Sequence, residues 1–512
     1  MNTKTFVKGA MILVVFNLIC KVLGAVYRIP LANILGPVGI GKYQLVFPLY
    51  SLLLSISVSG IPVAISKIVA EYNGQGRFED AKKVLKLSKF YLCIISLIAV
   101  VIITVFSKVI AKIQGNPEIY VCYYAIAPAI LFVGVLSVYR GYFQGNLNMI
   151  PTAISNIVEQ VGKLIFSLYF ANLFIDRGVE FGVFGALLGI SVSEVLALLF
   201  LSIYYLFSKK QIKQKILGMS NLLMSKQLFS TALPITLGGL MNPVTAIIDS
   251  LLVVNILIYT GFGAEYSTSL LGLQSGIVEP IINIPIVISI SIAASLLPNL
   301  ASAFSKKKDW EVKELIEKSL QITLSISLVC AICFVIFGKQ VLSFLYGSSL
   351  SNSELLISTK LLFLGAINLL LLSLVQLSSG ILQGMGCQKY TVKSLLIGSI
   401  FKVVLTFVLV NIRQLNIYGA MISGGISYLI VFILNYKQIC NATEARISNV
   451  LMSVVVQCSF VCLIAYFTNQ LFLRLVGDRI ALFTGGAISG IIFLLTYYAF
   501  ILKDRKQSYS SW

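Results

Sequence analysis

Ionisable side chains set inside long apolar runs are the residues of this sequence that could do chemistry. Lys21 and Arg28 stand in one such run, Glu159 and Lys163 in another, and Glu194, Asp249, Glu279 and Lys402 in four more. A basic residue near the centre of a bilayer costs roughly 2.5–3.5 kcal/mol on insertion scales, so each of these positions implies a polar surrounding or a partner. Lys21 and Arg28 are nearly two helical turns apart, about 10 Å along one face of a helix, a spacing that suits an anionic ligand entering between helices. The bland alternative is a pair that snorkels, one side chain towards each interface. Glu159 and Lys163 are related i,i+4 and are expected to neutralise one another. The residue four before Lys402 is Gly398, so Lys402 is expected to lack such a partner. Asp249 is expected at the same depth as Arg28 and in position to pair with it as a gate. Glu194 and Glu279 are candidates either for a coupling cation or for pairing with basic residues. The substrate-binding candidates are therefore Lys21, Arg28, Lys163 and Lys402, and the gate or ion-coupling candidates Asp249, Glu279, Glu194 and Glu159.

Other chemistries are excluded or unsupported. There is no histidine, which removes imidazole acid–base catalysis, histidine metal sites and histidine pH sensing. The nine cysteines are scattered through apolar runs, and the close pair Cys330 and Cys333 reads as packing. No metal and no cofactor is expected, and G-x-x-x-x-G-K-[ST] is absent, so any energy input would come from an ion gradient, the membrane potential or consumption on the far side.

The elements that must position these charges are membrane spans. Hydrophobic residues make up 58% of the 512 and charged residues 11%, which describes a multi-pass membrane protein. Apolar runs of spanning length lie at about 9–29, 43–67, 88–111, 118–142, 151–174, 182–207, 229–259, 271–302, 319–346, 355–383, 390–411, 416–436, 449–472 and 479–502. The first carries no cleavage site and is expected to be retained. The net charge of +20 is mostly an orientation signal: the N-terminus, the long basic loops and the C-terminal tail concentrate Lys and Arg on one side, which the positive-inside rule makes cytoplasmic. No nucleic-acid partner is implied, only membrane lipids.

The chain also repeats itself. Residues 60–85 line up with 290–315, FQGN at 143–146 with LQGM at 382–385, Lys163 with Lys402, and 184–199 with 418–433. Spans 1–6 are thus expected to recur as spans 7–12 in the same orientation. The expected fold is an all-α polytopic membrane protein with 14 transmembrane helices, two six-helix lobes about a pseudo-two-fold axis along the membrane normal, and two extra C-terminal helices. The expected divisions are an N-lobe 1–208, a basic cytoplasmic linker 209–228, a C-lobe 229–437, a terminal pair 449–502 and a cytoplasmic tail 503–512. Loops 71–89 and 305–318 mix Lys and Glu with apolar residues at helical spacing, and each is expected to form a short amphipathic helix on the cytoplasmic surface.

The run KVLGAVYRIPL, followed by ILGPVGIGKYQLVFPLYSLLLSISVSGIPVAISKIVAEYN, resembles the stage V sporulation protein B branch of the multidrug/oligosaccharidyl-lipid/polysaccharide exporter superfamily. MurJ-type lipid II flippases are similar through Lys21-x-Leu23-Gly24, Ala70-Glu71-Tyr72 and Leu297-Pro298-x-Leu300. The resemblance implies a two-lobed transporter of lipid-linked oligosaccharides that works by alternating access, with basic cavity residues meeting the diphosphate and the last two helices holding the polyprenyl tail; a monomer is the expected state. It carries the diphosphate role to Lys21, where Lys replaces Arg and loses the bidentate fork, while Arg28 lies one position from the second arginine of the pattern. It also puts Glu279 where the flippases have an arginine. The function so implied is a flippase for an undecaprenyl-diphosphate-linked sugar, such as the peptidoglycan precursor lipid II, in sporulation or cell-wall assembly. The alternative is a cation-coupled multidrug antiporter, which would be expected to have twelve helices and an acidic residue in its first span. A membrane-embedded glycan polymerase would need a large outer loop with catalytic residues, and the outer loops here are short.

Overall fold

In lipid every backbone N–H and C=O must be satisfied within its own segment, so apolar runs of this length fold as helices. A computed structural model describes residues 3–58, 60–208, 220–443 and 445–475, and among these the chain is all-α. Eleven of its helical stretches are long and apolar enough to cross a membrane. Every expected span up to 449–472 falls on described helical residues, though 43–67 is divided between Thr3–Val58 and Ile61–Gly74, 88–111 between Phe78–Val105 and Ser107–Ile113, and 229–259 between Asn221–Gly239 and Met241–Tyr259. The expected span 479–502, the tail 503–512 and the first part of the linker lie outside the described residues.

Two compact units, 1–276 and 277–512, divide the chain. The first contains α1 (Thr3–Val58), α2 (Ile61–Gly74), α3 (Phe78–Val105), α4 (Ser107–Ile113), α5 (Tyr120–Gly145), α6 (Ile150–Phe174), α7 (Val179–Phe207), α8 (Asn221–Gly239), α9 (Met241–Tyr259) and α10 (Ala264–Leu271). The second contains α11 (Glu279–Ser305), α12 (Asp309–Tyr346), α13 (Asn352–Gly384), α14 (Gln388–Asn411), α15 (Ile417–Ala442) and α16 (Ser448–Leu475). A π-helical turn, Gly272–Val278, separates α10 from α11. The boundary therefore falls within the eighth expected span rather than at 209–228. The reason is packing: α8 lies on α2 and α3, and its Met224, Leu228 and Ala232 join their core, while α9 and α10 lie on α1. The end of the expected linker is itself helical, forming the first turns of α8.

Two expected spans share the continuous run of α1, which breaks between them at Gly36, where φ is 67° and ψ 178°. Only glycine adopts that backbone without strain, and Pro37 next to it cannot donate the helical hydrogen bond. Beyond the break α1 is mostly buried as far as Tyr50, and it meets α10 and the π turn at backbone distance. A Cβ on Gly41 would stand 2.0 Å from the Thr268 carbonyl oxygen, and one on Gly272 2.0 Å from the Pro37 carbonyl oxygen. The Gln44 amide donates to the Ser275 carbonyl at 2.5 Å in the same contact.

The sequence repeat is realised as a repeated order of helix contacts. In the first unit α5 packs on α2, α3 and α7, and α6 on α7; in the second α13 packs on α11, α12 and α15, and α14 on α15. The turns repeat as well. Left-handed residues precede α3 and α12 (Gly76 and Lys307) and follow α5 and α13 (Leu147 and Gly386). The separate amphipathic helices expected in 71–89 and 305–318 do not form. Apart from 71–74, which close α2, and 305, which closes α11, their helical residues are the opening turns of α3 and α12, which continue without a break into the spans, because no Gly or Pro interrupts either run.

Candidate functional site

Three helices of the first unit bring charge together. Arg140, near the end of α5, donates from Nη2 to Glu159 Oε2 on α6 at 2.9 Å and from Nε to Ser155 Oγ at 3.0 Å. Lys163, one turn along α6, reaches Glu159 Oε1 at 3.5 Å, as the i,i+4 spacing predicts, and the Gln160 amide donates to the same oxygen at 3.1 Å. Arg140, Glu159 and Lys163 are each about one-sixth exposed (15%, 14% and 16%), so the cluster is recessed but not sealed. Behind it, on α7, Glu194 is 2% exposed and has Glu159 and Lys163 as charged neighbours. Glu194 Oε2 has no hydrogen-bond partner, and neither has the buried Tyr50 hydroxyl, which reaches the same charges from α1. Two cations thus share Glu159, and a second carboxyl waits beside it.

The first arm of α1 brings the other basic residues to this region. Gly24 faces α6: a Cβ there would stand 3.5 Å from Gln160 Oε1. Lys21 and Arg28 lie on the same stripe of α1 as Gly24. Lys21 is exposed. Arg28 is half-buried, with its guanidinium 6.0 Å from the centre of the Phe47 ring. The buried Tyr43 has Arg28 and Lys163 as charged neighbours, which places the two cations around one side chain. Arg28 therefore makes a cation–π contact, not the expected ion pair with Asp249, which lies half-buried on α9. The second unit holds Glu279 at the start of α11 and Lys402 on α14, both half-buried. Lys402, expected to stand alone, has an interaction of its own.

Two charged residues of the first unit were not among the candidates. Arg140 ends an apolar run and reads in sequence as a loop charge; its partner is 19 residues away on another helix, beyond any periodic signal. Lys42 is the other. It is buried just past the Gly36 break, and its Nζ reaches Glu118 Oε2 at 2.8 Å and Glu180 Oε2 at 3.0 Å. It ties α1 to the chain entering α5 and to the first turn of α7.

The repeat also shows what the second unit lacks. With the register of FQGN on LQGM, Arg140, Ser155, Glu159 and Lys163 correspond to Ser379, Ser394, Gly398 and Lys402. There, Asn435 Nδ2 donates to Ser378 Oγ at 3.1 Å and Ser379 Oγ at 3.3 Å, while Ser394 Oγ donates to Asn435 Oδ1 at 2.5 Å. All of these side chains are buried. A neutral hydroxyl and amide network occupies the place of the ionic one.

Comparison with known proteins agrees with this architecture. A family model described as polysaccharide biosynthesis protein matches residues 6–304, and one described as MatE matches residues 272–408. Among curated proteins the chain is 26% identical to stage V sporulation protein B of Bacillus subtilis (strain 168), over 90% of this chain and 89% of that protein. It is 28% identical to lipid II flippase MurJ of the same organism, over 82% of this chain and 80% of the relative. A solved structure titled lipid II flippase MurJ, inward closed conformation, superposes with a TM-score of 0.73 at 13% identity, covering 96% of this chain and 99% of that one. The chain belongs to the polysaccharide biosynthesis protein family, within the multidrug/oligosaccharidyl-lipid/polysaccharide exporter superfamily of multi-pass membrane transporters.

Proposed function

We propose that this protein is a flippase that carries an undecaprenyl-diphosphate-linked sugar, a peptidoglycan precursor such as lipid II, across the cytoplasmic membrane by alternating access, with both termini in the cytoplasm. One observation supports this most directly: a recessed cluster with basic residues to spare, Arg140 and Lys163 around Glu159 with Arg28 close by, inside an apolar bundle. Retaining such charge in lipid is costly unless something anionic uses it. A diphosphate is anionic over the whole physiological pH range and would be drawn to Lys163 and Arg28, with Lys21 at the exposed edge and Lys402 as the counterpart in the second unit. The polyprenyl chain never has to leave lipid, so no covalent step is required. Kinship to lipid II flippase MurJ of Bacillus subtilis and to stage V sporulation protein B supports the substrate class.

The match of residues 272–408 to MatE favours a second reading, a multidrug antiporter coupled to Na+ or H+. One experiment separates the two. In cells whose own lipid II flippase can be shut off, the wild-type chain is expected to restore growth, and Lys163→Ala and Arg28→Ala to fail at equal membrane abundance. A wild-type chain that gives no rescue but exports a cationic dye would establish the antiporter.

A further inference from the structure

The two cations that share Glu159 are held unequally, and neither is fully used. Arg140 is fixed twice, by Ser155 Oγ at 3.0 Å and by Glu159 Oε2 at 2.9 Å. Lys163 has one ionic contact, with Glu159 Oε1 at 3.5 Å, and that oxygen also accepts from the Gln160 amide at 3.1 Å. A guanidinium offers five N–H donors and an ammonium three, so most of the donors on the two cations have no acceptor among the described residues. Recessed cations in this state are costly unless an anion stands by, and Glu159 supplies one.

The duplication shows that the carboxylate is not needed merely to house a lysine. Lys402 stands at the position of Lys163 with Gly398 four residues before it, and it is accommodated there by an interaction of its own. Ser379 replaces Arg140 at the same locus, so the carboxylate is present where the arginine is present and absent where it is absent. What distinguishes Glu159 is that it bridges two cations from different helices, one oxygen to each. A phosphate bridging Arg140 and Lys163 would have to stand where this carboxylate stands.

We propose that Glu159 is a built-in counter-anion, a stand-in for the diphosphate: it bridges Arg140 and Lys163 when the site is empty, yields Lys163 to the arriving head group and reclaims it as the cargo leaves. This rests on the anionic cargo proposed above and assigns the residue that limits its affinity. The longer contact is the one that gives way, while Ser155 and Glu159 Oε2 keep Arg140 in place. Lys163 passes from one anion to another and is never left without a partner. A carboxylate tethered to the helix cannot diffuse away, so it competes at a fixed and high effective concentration, which favours release.

The test follows binding to the purified full-length chain in nanodiscs through the ligand-dependent shift of its thermal transition. The probes are inorganic pyrophosphate and, in a second arm, rising fractions of undecaprenyl diphosphate in the disc. Glu159→Gln is expected to bind about tenfold or more tightly than wild type, and yet to restore growth less well in the flippase complementation assay, because release is slowed. A carboxylate that only held the bundle together would lose binding and transport together. Glu159→Asp keeps a carboxylate for Arg140 but withdraws it from Lys163 by one methylene, so it is expected to fold and to show a smaller gain. Glu159→Gln made in Lys163→Ala is expected to gain nothing over Lys163→Ala alone, since the competition is for that lysine. Affinities in Glu159→Gln and Glu159→Asp no higher than in wild type would overturn the counter-anion and leave the cargo reading in place. A gain that survives Lys163→Ala would reduce it to net charge and overturn the exchange. A gain confined to free pyrophosphate would overturn it as a step of lipid transport. Failure of both probes to bind wild type or any variant overturns the cluster as an anion site, even if the chain rescues a flippase mutant.

Discussion

Glu159 is the residue on which the charged cluster turns, because one of its oxygens holds Arg140 and the other Lys163. Removing it leaves two buried cations uncompensated. Glu159→Ala is expected to destabilise the protein by about 3–5 kcal/mol, read as an earlier thermal transition of the detergent-solubilised chain. Arg140→Lys keeps the charge but cannot grip Ser155 and Glu159 at once. In the flippase complementation assay it is expected to recover less than half of what Arg140→Ala loses, and full recovery would make charge alone sufficient. The pairing of Glu159 with Lys163 was legible in the sequence because i,i+4 on a helix is a local rule. Arg140 was not, because its place at the site is set by how α5 crosses α6, which no spacing along one chain segment records.

At the level of elements, backbone contacts and one buried lysine fix the arm of α1 that follows Gly36. Gly41→Ala must push α1 away from the Thr268 carbonyl and is expected to cost about 1–3 kcal/mol by overpacking. Gly74→Ala, with open space around it, is expected to be neutral or stabilising by up to about 1 kcal/mol. Equal losses from the two substitutions would show that close approach is not what Gly41 provides. Lys42→Met removes the link to Glu118 and Glu180. Because Glu118 is 65% exposed and solvent screens it, the loss is expected to be about 1–2 kcal/mol, and it should shrink in the triple variant that also carries Glu118→Gln and Glu180→Gln. The spans were readable because a membrane demands about twenty apolar residues at a stretch, whereas the position of the break at Gly36, within the gap between the first two, was not singled out. The opening turns of α3 and α12 were misread as separate helices, since an amphipathic pattern looks the same whether or not it continues into a span.

At the scale of the whole molecule, the duplication was visible in the sequence as three ordered matches, and the structure expresses it as two similar orders of helix packing. The units are nevertheless chemically unequal, and the inequality is built into the packing. A Cβ on Gly398 would stand 2.2 Å from Val431 Cγ2, so the counterpart of Glu159 has no room for any side chain. Gly398→Ala is expected to lower stability by about 1–3 kcal/mol, measured by thermal unfolding, and Gly398→Ala with Val431→Ala to regain part of the loss. The unit boundary at 276/277 was not foreseen, because a basic segment advertises topology while the grouping of α8 to α10 with the first unit depends on surfaces far apart in sequence.

The glycine at 398 also has a bioenergetic consequence. Of the two related loci, only the first carries carboxyl groups among the described residues, Ser379, Ser394 and Asn435 forming a neutral network at the second. A single elementary charge crossing the membrane yields about 2.3 kcal/mol per 100 mV. An anionic head group moving outward is helped by an inside-negative potential by that amount for each net negative charge, and a proton carried along with it would give one such share back.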